Sequence, residues 1–488
     1  MTIDLASGYP SPALIPVYQL QQAANTALST PSIWKEGLKY GADAGYFPLR
    51  HSLAQWLTDF YNNDNTKPDA ERICVTGGAS QNLACILQVY TDPVYTKKIF
   101  IIEPAYFLSF RVFEDAGFGG RLKGIPEDDQ GIDLAILEQS LKKEADVSLP
   151  GGSVSKPFKQ PQPHRKLYRH VIYCVPTFSN PSGRVMSLNR RRELVRLARK
   201  YDALIVADDV YDFVHWEIET NNLADVSPTD DLTSSIDSQS STSTPTFTPP
   251  SSSTSSLASL LPTMFKSIMP RLVDVDKILD GGPVDQFGNC VSNGSFSKIV
   301  GPGCRVGWAE GSHAFVYGLS QVGSTRSGGA PSQLASTFIN GMLENGCITE
   351  HIQNILVPAY ARRSNKLSRA IKEHLGPIGV TLPSWPSGIP NTQVASESTL
   401  IGGGFFIWLQ LPSPLNSKEV AAAALLEGLS MGQGTSSALP DGNDGCGQYG
   451  NMLRLCFACE EEDLLLEAIL ILHRVILKCL SNASTVVR

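Results

Sequence analysis

Blocks of positive charge are missing from this 488-residue chain. Its 40 Lys and Arg are dispersed among 47 Asp and Glu, for a formal net charge of −7. With no basic patch or stripe, a nucleic-acid partner is excluded. Long apolar runs are missing too. No stretch is long and uninterrupted enough to supply the roughly 20 apolar residues that a bilayer span needs. Residues 1–18 show no basic segment followed by an apolar run, so no secretory leader is read there. The final Val-Val-Arg is neither a peroxisomal nor a retention address. The 10 cysteines lack a disulfide-framework spacing. Cys456 and Cys459 form the one C-x-x-C. No second pair completes a zinc site, so core packing is the expected role. A reducing, cytosolic compartment fits this inventory. What is present is ordinary globular material, 42% hydrophobic and 18% charged, with ample substance for a core.

Several apolar runs are followed at once by turn residues. Residues 73–76, 99–103, 170–175 and 203–207 read as buried strands, the pattern of a parallel sheet. Ligands of open α/β sheets gather where such strands end. Past the first end stand Gly77 and Gly78, then Ala79, Ser80 and Gln81 opening a helix. A helix start with free N–H groups is an anion site. Past the second end stands Tyr106. The third leads into Asn180-Pro181-Ser182-Gly183, and the fourth closes on Asp208 and Asp209, with Tyr211 just beyond.

Residues 294–308 read Gly-Ser-Phe-Ser-Lys-Ile-Val-Gly-Pro-Gly-Cys-Arg-Val-Gly-Trp. Lys298 stands beside Ser295 and Ser297, and Arg305 follows seven residues on. An amine can condense with an aldehyde, and hydroxyls with a guanidinium can hold a phosphate. The molecule with both handles is pyridoxal 5′-phosphate, which also wants an acid on its ring nitrogen. Each motif alone has a plainer reading: a surface lysine, an Asn-Pro turn, acids capping a helix. For the acids a metal site is the other alternative, but partner histidines are absent.

Taken in order, the motifs resemble the class I/II aminotransferase family of PLP fold type I. The likeness is nearest to the branch of 2-aminoadipate and kynurenine aminotransferases and MocR-type regulators, and it covers nearly the whole chain apart from residues 148–165 and 221–280. The resemblance implies pyridoxal 5′-phosphate on Lys298, with Asp208 at the ring nitrogen and Tyr211 and Asn180 at the phenolic oxygen. It implies Tyr106 stacked on the ring. Ala79, Ser80, Gln81, Ser295, Ser297 and Arg305 would lie around the phosphate. Tyr40, in Tyr40-Gly41-Ala42-Asp43-Ala44-Gly45, would reach the phosphate of a neighbouring subunit, which implies a homodimer. Arg454, alternating with Leu453 and Leu455, would clamp the substrate α-carboxylate. Gly8, in a Pro-rich arm over residues 4–16, would lie against the same carboxylate.

The expected fold is α/β, with a large doubly wound, mostly parallel sheet domain and a smaller C-terminal α+β domain. The boundaries read as an arm and helix over 1–37, a large domain over 38–330 and a small domain over 331–488. A Ser/Thr/Pro-rich insertion at about 221–261 has too little apolar surface to order itself. Helices are expected over 17–29, 189–201, 350–375 and 460–479, and strands over 402–411 and 451–457. The expected activity is transfer of an amino group between an L-amino acid, of 2-aminoadipate, aromatic or aliphatic type, and a 2-oxo acid. A lyase or decarboxylase on the same scaffold is the alternative, and a non-catalytic regulator a more distant one.

Overall fold

The structure, a computed structural model, describes residues 2–61, 67–146, 157–218, 266–329, 331–383, 387–388, 400–439 and 449–486. The insertion at 221–261, and residues 148–156 of the polar loop before Arg165, lie outside the described residues. The strands are β1 (Ile3–Leu5), β2 (Ile73–Thr76), β3 (Lys98–Glu103), β4 (Leu122–Asp128), β5 (Gly131–Ile132), β6 (His170–Cys174), β7 (Ala203–Asp208), β8 (His215–Ile218), β9 (Cys290–Ser295), β10 (Gly307–Glu310), β11 (Ser387–Gly388), β12 (Leu400–Gly403), β13 (Phe406–Gln410), β14 (Leu429–Gln433) and β15 (Met452–Cys456).

Eight of them form one sheet in the order β2-β10-β9-β7-β6-β3-β4-β5. The run from β9 to β4 is parallel; β10 is antiparallel to both of its neighbours, and β5 runs antiparallel to β4. The parallel strands are apolar on both faces because both faces are covered. In β7, Leu204 and Val206 join a core with Leu83, Ile86 and Leu87 of the helix Ala79–Tyr90. Ala203, Ile205 and Ala207 join a second core with Leu194, Val195 and Ala198 of the helix Leu188–Lys200. Each large aliphatic side chain buried this way contributes about 1.5–3 kcal/mol. That double burial makes the sheet doubly wound, as its sequence pattern led one to expect.

β9, by contrast, is fully buried yet polar. Its polar groups are matched. Asn82 Nδ2 donates to Asn293 Oδ1 at 2.8 Å, Asn293 Nδ2 donates to the Ala79 carbonyl at 3.0 Å, and Ser292 Oγ donates to Asp209 Oδ2 at 2.5 Å. Buried polar atoms persist when so paired. Here they tie the strand leading to Lys298 to the helix start at Ala79.

A second sheet has the order β1-β14-β15-β13. β1 lies parallel to β14, so the arm enters the C-terminal sheet as a strand before reaching the cavity. A third, three-stranded sheet runs β11-β12-β8.

Two expectations are corrected. Residues 402–411 are not one strand. Gly404, at φ +68°, breaks them into β12 and β13, which belong to different sheets. A left-handed residue cannot continue a pleated ladder, and glycine adopts it without a Cβ penalty. The expected 350–375 helix is interrupted by π turns at Ile352–Leu356 and Ile371–Leu375. The first precedes Pro358, whose ring removes a ladder donor from the helix Val357–Ala370.

Candidate active site

The carboxyl ends of β3, β6 and β7, the start of the helix Ala79–Tyr90 and the 295–305 loop converge on one cavity of about 570 Å³. Of the residues expected at the site, Gly8, Ala79, Ser80, Tyr106, Asn180, Asp208, Tyr211, Ser295, Ser297, Lys298, Arg305 and Arg454 all line it. Gln81 and Tyr40 do not. Gln81 Oε1 instead accepts from the Gly77 amide at 3.0 Å and shapes the turn. Tyr40 is 83% exposed.

Lys298 Nζ donates to the Gly8 carbonyl at 2.7 Å and lies 5.8 Å from the Tyr211 ring centre. Burial pushes its amine down to about 8, opposed by Cys456 and Asp208 and assisted by the Arg454 charge. An amine titrating there is partly free near neutral pH, as a nucleophile or proton acceptor must be.

Asp208 ends the apolar strand β7 and is buried. Burial pushes its carboxyl up to about 6, against the pull of the Tyr173 hydroxyl and the Lys298 charge. Tyr173 Oη donates to Asp208 Oδ2 at 2.8 Å, while Asp208 Oδ1 has no hydrogen-bond partner. A buried, unmatched carboxylate oxygen is costly and calls for a donor. A protonated ring nitrogen is such a donor. Tyr173 was not singled out in the sequence. Its one signal was a lone aromatic hydroxyl inside the apolar strand β6, which parallel pairing sets beside β7.

The helix Ala79–Tyr90 starts without a side-chain cap, so its first amides are open to an anion. Its N-cap, Gly78, has φ +98°. A Cβ there would lie 2.7 Å from Arg305 Nη2. Arg305 itself is held left-handed at φ +50°, with Nη1 donating to the Pro302 carbonyl at 3.0 Å and Nη2 donating to the Gly77 carbonyl. Such a conformation is retained where the surroundings enforce it. Ser295 Oγ donates to Ser297 Oγ at 2.9 Å beside this cup. A positive, amide-rich cradle one loop from an amine, facing an unmatched carboxylate, fits pyridoxal 5′-phosphate.

Arg454 is buried on β15. Its Nη1 donates to Asn180 Oδ1 at 2.9 Å and its Nη2 donates to the Ala6 carbonyl at 2.5 Å. Its guanidinium centre stands 4.4 Å from the Phe406 ring centre, and Nε is unmatched. The fork is thus fixed in place before any carboxylate arrives. Asp209, the other acid of the pair, points away from the cavity to Ser292. Among the described residues, no cluster of His, Cys, Asp and Glu could hold a metal. Met431, Gln433 and Ser436 also line the cavity. They lie in β14 and the turn after it, and nothing in their own sequence marks them.

Comparison with known proteins agrees with this geometry. The family described as "Aminotransferase class I and II" matches residues 4–236. An uncharacterized protein of Saccharomyces cerevisiae is 32% identical over 434 residues, covering 86% of this chain and 84% of its own. The 2-aminoadipate transaminase of Thermus thermophilus is 22% identical over 467 residues, covering 96% of this chain and 88% of its own. Among solved structures, the multiple substrate aminotransferase from Thermococcus profundus superposes with a TM-score of 0.68 at 22% identity, covering 99% of this chain and 92% of that one. The Pyrococcus horikoshii kynurenine aminotransferase, solved with PMP, superposes with a TM-score of 0.68 at 22% identity, covering 98% and 91%. The chain therefore belongs to the class I and II aminotransferases, pyridoxal-phosphate-dependent enzymes of fold type I.

Proposed function

We propose that this protein moves an amino group between an L-amino acid, of 2-aminoadipate, aromatic or aliphatic type, and a 2-oxo acid, with Lys298 as its attachment and proton-transfer residue. One observation carries the reading: Lys298 and Asp208 line the same cavity, and Asp208 keeps one buried carboxylate oxygen unmatched. Pyridoxal 5′-phosphate, when bound, supplies an electron-accepting ring and an aldehyde.

The chain's own groups do the rest. Asp208 would keep a proton on the ring nitrogen. Tyr211 and Asn180 would serve the phenolic oxygen; Asn180 has its Oδ1 occupied by Arg454, which leaves its amide hydrogens to donate. Ala79, Ser80, Ser295, Ser297 and Arg305 would hold the phosphate, with Gln81 acting through the turn that it braces. Tyr106 would cover one ring face. Arg454 binds the substrate α-carboxylate with Gly8 beside it. Lys298 would take the proton from the substrate α-carbon as general base and deliver it, as general acid, to the carbon that carried the aldehyde.

Tyr40, 83% exposed, is proposed to complete the phosphate site of a second subunit in a homodimer. Residues 38–330 would form the large cofactor domain, with an arm and helix over 1–37 and a small C-terminal domain over 331–488. No helix of the described residues is long and apolar enough to cross a membrane, and a cytosolic location fits. The test is Lys298→Ala. Expected are loss of turnover by about 10²–10⁴-fold and loss of borohydride-trapped cofactor from the peptide carrying position 298. Retained transamination in that variant removes the assignment.

A further inference from the structure

We infer that the side-chain half of this pocket selects bulky, uncharged amino acids over acidic ones, with Gln433 as the discriminating residue. The inference rests on the aminotransferase reading above.

It starts from an account of the cations. Among the described residues lining the cavity, three carry positive charge: Lys298, Arg305 and Arg454. The reacting amine, the phosphate and the α-carboxylate use all three. Within one subunit, a second carboxylate on the substrate meets no further cation among the described residues lining the cavity, and Asp208 lies in the same cavity. The arm brings none either. Residues 1–34 contain no Lys, Arg or His, although Ala6, Ser7, Gly8 and Tyr9 line the pocket. Burying a charge without a partner is expensive enough to exclude it as a preferred ligand.

The wall that remains is apolar or neutral. Tyr9, Phe107, Leu108 and Met431 supply apolar surface, and Gln433 and Ser436 supply uncharged donors and acceptors. Gln433 lines the cavity at the end of β14, pairing with Leu453 one step along the ladder from the Gly432–Arg454 pair. The segment bearing Gln433 and Ser436 is also fastened. The Ala105 amide donates to the Ser437 carbonyl at 2.8 Å, and the Leu439 amide donates to Glu103 Oε1 at 2.6 Å. These bonds hold it to the end of β3, immediately before Tyr106.

The test uses the holoenzyme and two unreactive acids that lack the amino group, 3-phenylpropionate and adipate, titrated calorimetrically. Expected is at least about tenfold tighter binding of 3-phenylpropionate, and the same preference when L-phenylalanine and L-2-aminoadipate are compared by bleaching of the bound cofactor. Gln433→Arg should shift the binding ratio toward adipate by about tenfold or more. Adipate binding as tightly as 3-phenylpropionate to the wild type overturns the inference, as does an unchanged ratio in a folded Gln433→Arg. Should that variant fail to fold, the wild-type ratio decides the substrate class and Ser436→Arg tests the wall. Failure of the aminotransferase reading looks different: cofactor absent from Lys298 after borohydride, and no amino acid bleaching it. That outcome removes both claims, whereas an adipate preference on a Lys298-labelled enzyme removes only this one.

Discussion

Replacing Tyr173 with Phe removes one oxygen atom from the interior and, with it, the hydrogen bond of 2.8 Å to Asp208 Oδ2. A hydrogen bond to a charged acceptor is worth about 1.5–3 kcal/mol, and 1.36 kcal/mol moves a pKa by about one. In the cofactor-free protein the Asp208 carboxyl, held at about 6, should therefore move to roughly 7–8. At pH 7 the ionised fraction then falls from about nine-tenths to half or less. In the loaded enzyme that carboxylate is proposed to keep the ring nitrogen protonated, so its weakening should reach the transition state directly. The expected loss is about 10- to 100-fold in kcat at pH 7, with KM little changed because Tyr173 does not line the cavity. Raising the pH re-ionises Asp208, so the acidic limb of the variant's kcat profile should move upward and activity partly recover. The assay is steady-state kinetics from pH 6 to 9, with the visible titration of the bound cofactor and a thermal melt as control for folding. A folded Tyr173→Phe whose acidic limb stays in place and whose kcat stays within about twofold refutes the reasoning.

Other consequences follow from the same geometry. Arg454→Ala should lower kcat/KM by about 10²–10³-fold, since it removes a preset fork and leaves the Asn180 carbonyl oxygen unmatched; single-turnover bleaching with an amino acid measures it. Gly78→Ala forces a Cβ to 2.7 Å from Arg305 Nη2 at a φ of +98°. It should cost about 1–3 kcal/mol of stability and speed cofactor release, seen in a melt and by dialysis. In the cofactor-free protein, burial raises the Asp208 carboxyl to about 6 from its ordinary 3.8. The folded state then binds more protons than the unfolded between those values, so stability should fall as pH rises from about 4 to 6, by about 3 kcal/mol in total. Chemical denaturation at several pH values should show this slope, and Asp208→Asn should flatten it.

Much of this was legible in the linear order of residues. Apolar runs such as Ala-Leu-Ile-Val-Ala must be buried on both faces, and chemistry collects where they stop. That local rule marked Asp208, Tyr106, Asn180 and the Gly78 turn, while Lys298 and Arg305 stood out by type and spacing. Other features depended on contacts between distant segments. Tyr173 meets Asp208 only because β6 and β7 pair in parallel register. Gln81 turns back on its own loop because Gly77 offers an amide within reach. Met431, Gln433 and Ser436 reach the cavity because the turn after β14 is fastened to the end of β3. Gly402 to Leu411 looked like one strand because periodicity does not register the left-handed break at Gly404. The candidate reacting groups that line the cavity were thus marked in the chain by residue type and spacing. What surrounds the substrate's side chain was decided by tertiary packing, because neutral residues acquire a role there only from the neighbours that folding brings them.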